Sequence, residues 1–185
     1  MPGFAVLVPE RLWRHSIFPP PNNDHIMQLI DLLSPERVIA CDAKISNKRK
    51  LLARAASLVA TGLDGVAERS VFDGFFERER LGSTALGGGV AIPHCRIDSA
   101  NVASAACLKL LEPIRFEAPD DQGVDLVFAL AVPGNFTDQH LKLLSNIATV
   151  LSEPSAVEML RSAKDSAQLY AALTETWCQF GGVKA

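Results

Sequence analysis

The sequence predicts an α/β domain in which a mixed β-sheet lies between layers of helix. Three observations predict it. Runs of strand character cluster in mid-chain, at Val90-Ala91-Ile92, Ala105 to Leu110 and Val124 to Val132, with helical periodicity on either side. The last of these is apolar nearly throughout, as a central strand covered on both faces must be. Strict alternation of strand and helix is missing, which argues against a Rossmann fold or a barrel.

The elements follow in order. Residues 1–26 read as an N-terminal extension, because Pro19-Pro20-Pro21 followed by Asn22-Asn23-Asp24 can neither continue a helix nor join a central strand. Met27 stands where the helical pattern Gln28 to Leu33 begins and serves equally well as a natural start. The domain is expected over 27–180, with a tail at 181–185. Arg37 to Cys41 reads as a first strand. Ser46 is placed to cap a helix whose Leu51, Leu52, Ala55, Leu58 and Val59 form one buried face. Asp64 is placed to cap a second helix, which runs past Val71, Phe75 and Phe76 to a charged end at Glu77-Arg78-Glu79-Arg80 and stops at Gly82. After the strands, Thr137 caps a helix with Leu141, Leu144, Ala148 and Leu151 on one face. Pro154 opens another, and Asp165 or Ser166 caps a last one reaching Trp177.

Composition narrows the function. With 185 residues and 48% hydrophobic content, the chain builds one full-sized core. A formal charge of -3 and a pI near 5.8 exclude the electrostatic footprint of a nucleic-acid binder. Cys41, Cys95, Cys107 and Cys178 are scattered, with neither a C-x-x-C pair nor zinc-site spacing, and read as reduced thiols. No apolar run approaches the roughly 20 residues that span a bilayer, and no signal peptide is evident, so the expected location is the cytoplasm.

The stretch with chemistry in it is Gly82 to Cys95. Pro93 removes a ladder donor, so the strand is expected to finish there and to present the His94 imidazole at the sheet's end. Gly87, Gly88 and Gly89 admit two readings, a turn or a loop whose amides approach an anion. His140 falls in the first turn of a predicted helix, where free amides and the helix dipole favour an anion. Arg78, near the end of its helix, carries a guanidinium that can hold two phosphate oxygens at once, or merely pair with Glu77 or Glu79 in solvent. A metal site on the two histidines needs a third ligand. Asp138 is the nearest, and at a spacing of two on a helix it points to a different face from His140.

The segment RERLGSTALGGGVAIPHC, from Arg78 to Cys95, resembles the active-site signature of the enzyme IIA components of the fructose and mannitol class of the bacterial phosphoenolpyruvate-dependent phosphotransferase system. More narrowly it resembles the nitrogen-regulatory enzyme IIA. The resemblance runs from about Met27 to Trp177 and includes LIDLLSPERVIACDAKISNKRKLL, VDLVFALAVP and HLKLLSNIATVL. It implies that His94 is phosphorylated at Nε2, that Arg78 and His140 are its active-site partners, and that the donor is a small histidine-phosphorylated carrier such as HPr or its nitrogen-branch counterpart. The targets it implies are regulated proteins or a IIB component, with no metal and no cofactor. Ser83, Thr84, Gly88 and Gly89 become candidates for phosphate contacts. Cys95 departs from the glycine usual there, and is expected to tighten the loop or to make the site sensitive to oxidation. A pure interaction module that has lost the chemistry is the competing class, and the intact His94, Arg78 and His140 argue against it.

Overall fold

The computed structural model describes residues 29–42, 45–136 and 138–180. It opens on a single 3-10 turn, Leu29–Leu32, where the sequence predicts a helix over Gln28 to Leu33. Pro35 explains the shortness. The residue before a proline is driven out of the helical region, and Ser34 is extended at φ -134° and ψ 157°. Met27, Gln28, the 1–26 extension and the 181–185 tail lie outside the described residues.

The elements that follow are β1 (Val38–Asp42), α1 (Lys48–Ala60), α2 (Glu68–Arg80), β2 (Ala85–Gly87), β3 (Val90–Ala91), β4 (His94–Ile97), β5 (Ser104–Ile114), β6 (Val124–Pro133), α3 (Asp138–Leu151), α4 (Pro154–Ser162) and α5 (Ser166–Phe180). One mixed sheet holds the strands in the order β1-β5-β6-β3-β2, with β4 also paired to β6. β6 runs antiparallel to β5 and parallel to both β3 and β4.

β6 shows why the sheet is buried on both faces. Leu126, Phe128, Leu130 and Val132 pack with Leu143, Ile147, Leu160, Leu169 and Trp177 of α3, α4 and α5. Between them, Val127, Ala129 and Ala131 turn to the other side and pack with Leu51, Ala55 and Phe75 of α1 and α2. Period-2 alternation thus divides one apolar strand between two cores. Each large side chain so buried contributes roughly 1.5–3 kcal/mol.

Three local differences from the sequence reading have physical causes. Asn47, not Ser46, caps α1, its Oδ1 accepting from Lys50 N at 2.9 Å. α2 starts at Glu68 behind Ala67, not at an Asp64 cap, because Gly65 takes φ +72° and breaks any helix begun before it. Pro93 does not end the strand. β3 and β4 keep one register on β6, with Val90 opposite Leu126 and His94 opposite Leu130, and Leu130 N donates to the Pro93 carbonyl at 2.9 Å. A proline removes a donor, not an acceptor, so the pairing on β6 lapses only at Ile92 and Pro93 and resumes at His94 in the same register. His94 therefore opens the second half of an interrupted strand.

Elsewhere the caps follow the sequence. Pro154 opens α4, and Asp165 Oδ1 accepts from Gln168 N at 2.8 Å at the start of α5. The Ser166 hydroxyl accepts instead from Ala40 N at 3.0 Å, tying α5 to β1. Thr137 lies outside the described residues.

The Pro19-Pro20-Pro21 break separates residues 1–26 from every amphipathic pattern of the chain. We therefore expect a chain lacking residues 1–26 to keep its melting temperature to within a few degrees. A large loss in a thermal melt would show that Phe4, Leu7, Trp13 or Phe18 packs on the domain.

Candidate functional site

β4 alternates like β6. Cys95 and Ile97 point into the α1 and α2 core, which leaves His94 and Arg96 on the opposite face, the side of α3. His94 Nδ1 lies 2.8 Å from the carbonyl oxygen of Ile92, two residues back along its own strand. Arg78, in the last turn of α2, directs Nε to His94 Nε2 at 3.1 Å, while its Nη1 donates to Gly82 O at 3.0 Å. A guanidinium has only donors, so Nε2 must accept with its lone pair and the ring's single proton sits on Nδ1, donated to Ile92 O. The nitrogen that meets Arg78 is thus the nucleophilic one.

His140, in the first turn of α3 as expected, lies beside this ring. The two centroids are 5.5 Å apart and the planes nearly perpendicular at 78°. His140 is buried, its Nδ1 accepts from Arg96 Nε at 3.4 Å, and its Nε2 is buried without a partner. Burial pushes both imidazoles below the ordinary histidine value, and nearby cations add to it: Arg78 and Arg96 for His94, Arg96 for His140, whose pKa falls to about 4 with His94 also opposing its charge. Both rings are neutral near pH 7. Asp138's side chain lies outside the described residues.

Arg78 owes its placement to the residue beside it. Glu79 is buried, and its carboxylate accepts from Thr84 N at 3.1 Å and Thr84 Oγ1 at 2.6 Å while pairing with Lys48 Nζ at 2.8 Å. That fastens the turn after α2, whose Gly82 carbonyl holds the Arg78 guanidinium. Glu79 carries no separate signal in the chain, since a Glu-Arg-Glu-Arg run at a helix end reads as a solvated face. Arg96 was detectable in principle as the residue two beyond His94 on a period-2 strand.

The structure brings His94, Arg78 and His140 together, and it occupies the four loop residues otherwise. The only proton of Ser83 Oγ goes to Phe116 O at 2.8 Å, and that of Thr84 Oγ1 goes to Glu79. Gly88 N donates to Asp120 Oδ2 at 2.7 Å, and Arg161 Nη2 bridges Gly88 O and Asp125 Oδ1, each at 2.6 Å. Gly89 has no room for a Cβ between that guanidinium and Asp125. Gly87, Gly88 and Gly89 take φ of +91°, +58° and +79°, so the triple glycine is what the turn from β2 to β3 demands. It also stands about 16 Å along the strand from His94.

Cys95 corrects an expectation. Its side chain faces away from His94, is 5% exposed, and fits against α2 at Gly74, where an added Cβ would come within 3.0 Å of the sulfur. Burial pushes its thiol to about 12, so it holds its proton and is a poor target for oxidation.

Histidines held neutral in the fold but free to protonate near 6.5 when unfolded contribute stability that is complete above that value and is lost as pH falls toward about 4. Each contributes at most about 1.4 kcal/mol per pH unit within that window. Melting temperature should therefore fall from pH 7 to pH 5, above the range where carboxylates titrate, and the slope should flatten in His140→Gln. Glu79→Ala, which leaves Lys48 and the Thr84 donors without their acceptor, should cost about 3 kcal/mol in urea denaturation.

With the geometry in place, comparison with known proteins is specific. Residues 31–176 match the family described as phosphoenolpyruvate-dependent sugar phosphotransferase system, EIIA 2. The chain is 37% identical to a nitrogen regulatory protein of Pseudomonas aeruginosa over 145 residues, 78% of this chain and 94% of that one. It is 30% identical to the mannitol-specific phosphotransferase enzyme IIA component of Geobacillus stearothermophilus, over 78% of this chain and 96% of the other. The crystal structure of nitrogen regulatory protein IIA-Ntr from Neisseria meningitidis superposes with a TM-score of 0.73 at 35% identity, covering 78% of this chain and 98% of that one. No helix among the described residues is long and apolar enough to cross a membrane. The chain belongs to the EIIA 2 family of the phosphoenolpyruvate-dependent sugar phosphotransferase system.

Proposed function

We propose that this protein is a cytoplasmic phosphocarrier that accepts a phosphoryl group on His94 Nε2 from a small histidine-phosphorylated carrier protein of the HPr type. The observation that carries the reading is the pair of hydrogen bonds on one imidazole. Nδ1 is committed to Ile92 O, and Nε2 keeps a lone pair directed at Arg78. A neutral, half-buried imidazole in that tautomer is ready to attack without first losing a proton.

The Nε2 lone pair forms a bond to phosphorus as the donor's N–P bond breaks, and the donor imidazole leaves with that electron pair. Nδ1 keeps its proton on the Ile92 carbonyl, which steadies the positive charge the ring acquires. The new bond consumes the lone pair that Arg78 Nε was using, so that N–H passes to a phosphoryl oxygen. Arg78 thereby stabilises charge on the equatorial oxygens, the main contribution a protein makes to such a transfer. His140 acts beside it as a second donor. Ser83, Thr84, Gly88 and Gly89 have no step here, since the Ser83 and Thr84 hydroxyls and the Gly88 amide donate within the fold and Gly89 lies in the turn away from His94.

Regulation of nitrogen or related metabolism through the phosphorylation state is the role favoured by the 37% identity to a nitrogen regulatory protein. Delivery to a sugar-specific IIB component is the second reading, supported by the 30% identity to a mannitol-specific IIA component.

Intact-mass analysis after incubation with phosphoenolpyruvate, enzyme I and an HPr-type carrier should show one acid-labile phosphate. His94→Ala should take none. His140→Ala should be labelled but slowly, and Arg78→Lys should lose about 10²-fold or more in single-turnover rate, because lysine lacks the fork. Labelling of His94→Ala, or a His140→Ala variant as inert as it, would overturn the assignment.

A further inference from the structure

Arg96 takes no part in the step just described, yet it is the residue that faces His140. Its side chain rises from β4 on the same face as His94, and its Nε–H reaches His140 Nδ1 at 3.4 Å. Because a guanidinium cannot accept, Nδ1 must present a lone pair there, which places the ring's proton on Nε2. That Nε2 belongs to a side chain only 5% exposed and has no hydrogen-bond partner. An unsatisfied buried N–H is destabilising and calls for an acceptor that arrives later. The His94 ring lies against this imidazole, so a phosphoryl group on His94 brings three acceptor oxygens into its neighbourhood.

We propose that Arg96 is a positioning residue that holds His140 as its Nε2–H tautomer, and so makes it a hydrogen-bond donor to the phosphoryl group on His94. The inference rests on the phosphocarrier reading. It matters which nitrogen carries the proton because His140 is neutral, held at a pKa of about 4 by burial, His94 and Arg96, and a neutral ring has a single N–H. Without Arg96 the proton is free to move to Nδ1. Nε2 would then offer a lone pair to an anionic phosphoryl group, turning an attraction into a repulsion. The effect differs from that of Arg78, which contacts the nucleophilic nitrogen itself.

The test uses the full chain labelled with ¹⁵N histidine, in wild type, Arg96→Met, Arg96→Lys and His140→Ala, and in the double variant with Arg96→Met and His140→Ala. Arg96 is exposed, so these variants should fold, and an unchanged His94 tautomer in the same spectra checks that they have. Wild-type His140 should show a proton-bearing Nε2 and a bare Nδ1. In Arg96→Met that pattern should be lost, and single-turnover phosphoryl transfer should slow about 10-fold or more. Arg96→Lys, which still offers a donor, should recover part of both. In the His140→Ala background Arg96→Met should slow transfer no further, since the residue through which it acts is gone.

An Arg96→Met protein that keeps the wild-type tautomer overturns the inference, whatever its rate. So does an additive loss in the double variant, which would make Arg96 a plain charge beside the site. Either result leaves labelling of wild-type His94 intact, whereas a wild-type protein that takes no phosphate overturns the phosphocarrier reading and this inference with it.

Discussion

The hydrogen bond between His94 Nδ1 and the carbonyl of Ile92 decides what the imidazole can do, and much of the fold serves to make it possible. The carbonyl belongs to a residue two positions earlier, across Pro93. A regular strand would direct that carbonyl to a neighbouring strand. Here the interruption at Ile92 and Pro93 leaves it available, while Val90 before and Leu130 opposite His94 hold the two half-strands in one register on β6. The proline is therefore less a terminator than a device that frees one acceptor without losing alignment. Once Nδ1 is spoken for, the tautomer is set, and every contact made by Nε2 is made by a lone pair.

Around that ring the charge is arranged in two tiers. Burial holds both imidazoles below the ordinary histidine value, and arginines 78 and 96 beside them add to it. Behind them a buried carboxylate, Glu79, faces away and binds Lys48 and Thr84. Adjacent residues at the end of one helix thus do opposite things. Arg78 reaches out to the site, and Glu79 reaches in to fasten the turn whose Gly82 carbonyl holds Arg78. Exchange of either sign would leave a buried group without a partner, which is why this helix end cannot be a merely solvated charge run.

Much of the fold was legible because burial writes itself into spacing. Val124 to Val132 reads as a two-sided central strand, and the α1 face reads from its apolar repeat, since both patterns record contact with a core. The sheet between helical layers follows from these. What escaped was set by groups whose signal is not periodic. β4 was hidden because a proline reads as a stop, although here the pairing on β6 resumes in the same register directly after it. The triple glycine looked the same whether it cradled an anion or made a turn, and the partners of the Gly88 amide and carbonyl, Asp120 and Arg161, favour the turn. Cys95 was placed beside the reactive ring by its number, but alternation puts adjacent side chains on opposite faces of a sheet, so its thiol lies in the α1 and α2 core. The His94, Arg78 and His140 cluster rests on the resemblance in its motif, since no local pattern ties a helix end to a strand and to a turn that follow it by 16 and 62 positions.

A carrier has to release what it accepts, and that sets a limit on how well its site should fit the phosphoryl group. The two donors nearest His94 differ in this respect. Arg78 Nε is already satisfied in the free protein, by the lone pair of Nε2, and would exchange it for a phosphoryl oxygen, so its hydrogen bonding changes in kind more than in number. His140 Nε2 has no partner in the free protein and would gain one. The first arrangement keeps the loaded and empty states close in free energy, whereas the second favours the loaded state by relieving a buried N–H. A neutral imidazole is a weaker donor than a cation, so a single such bond tilts the balance without trapping the group. Had His140 been protonated, its charge would have gripped the phosphoryl group far more firmly. The burial and neighbouring cations that keep it neutral are thus consistent with a site built for reversible transfer.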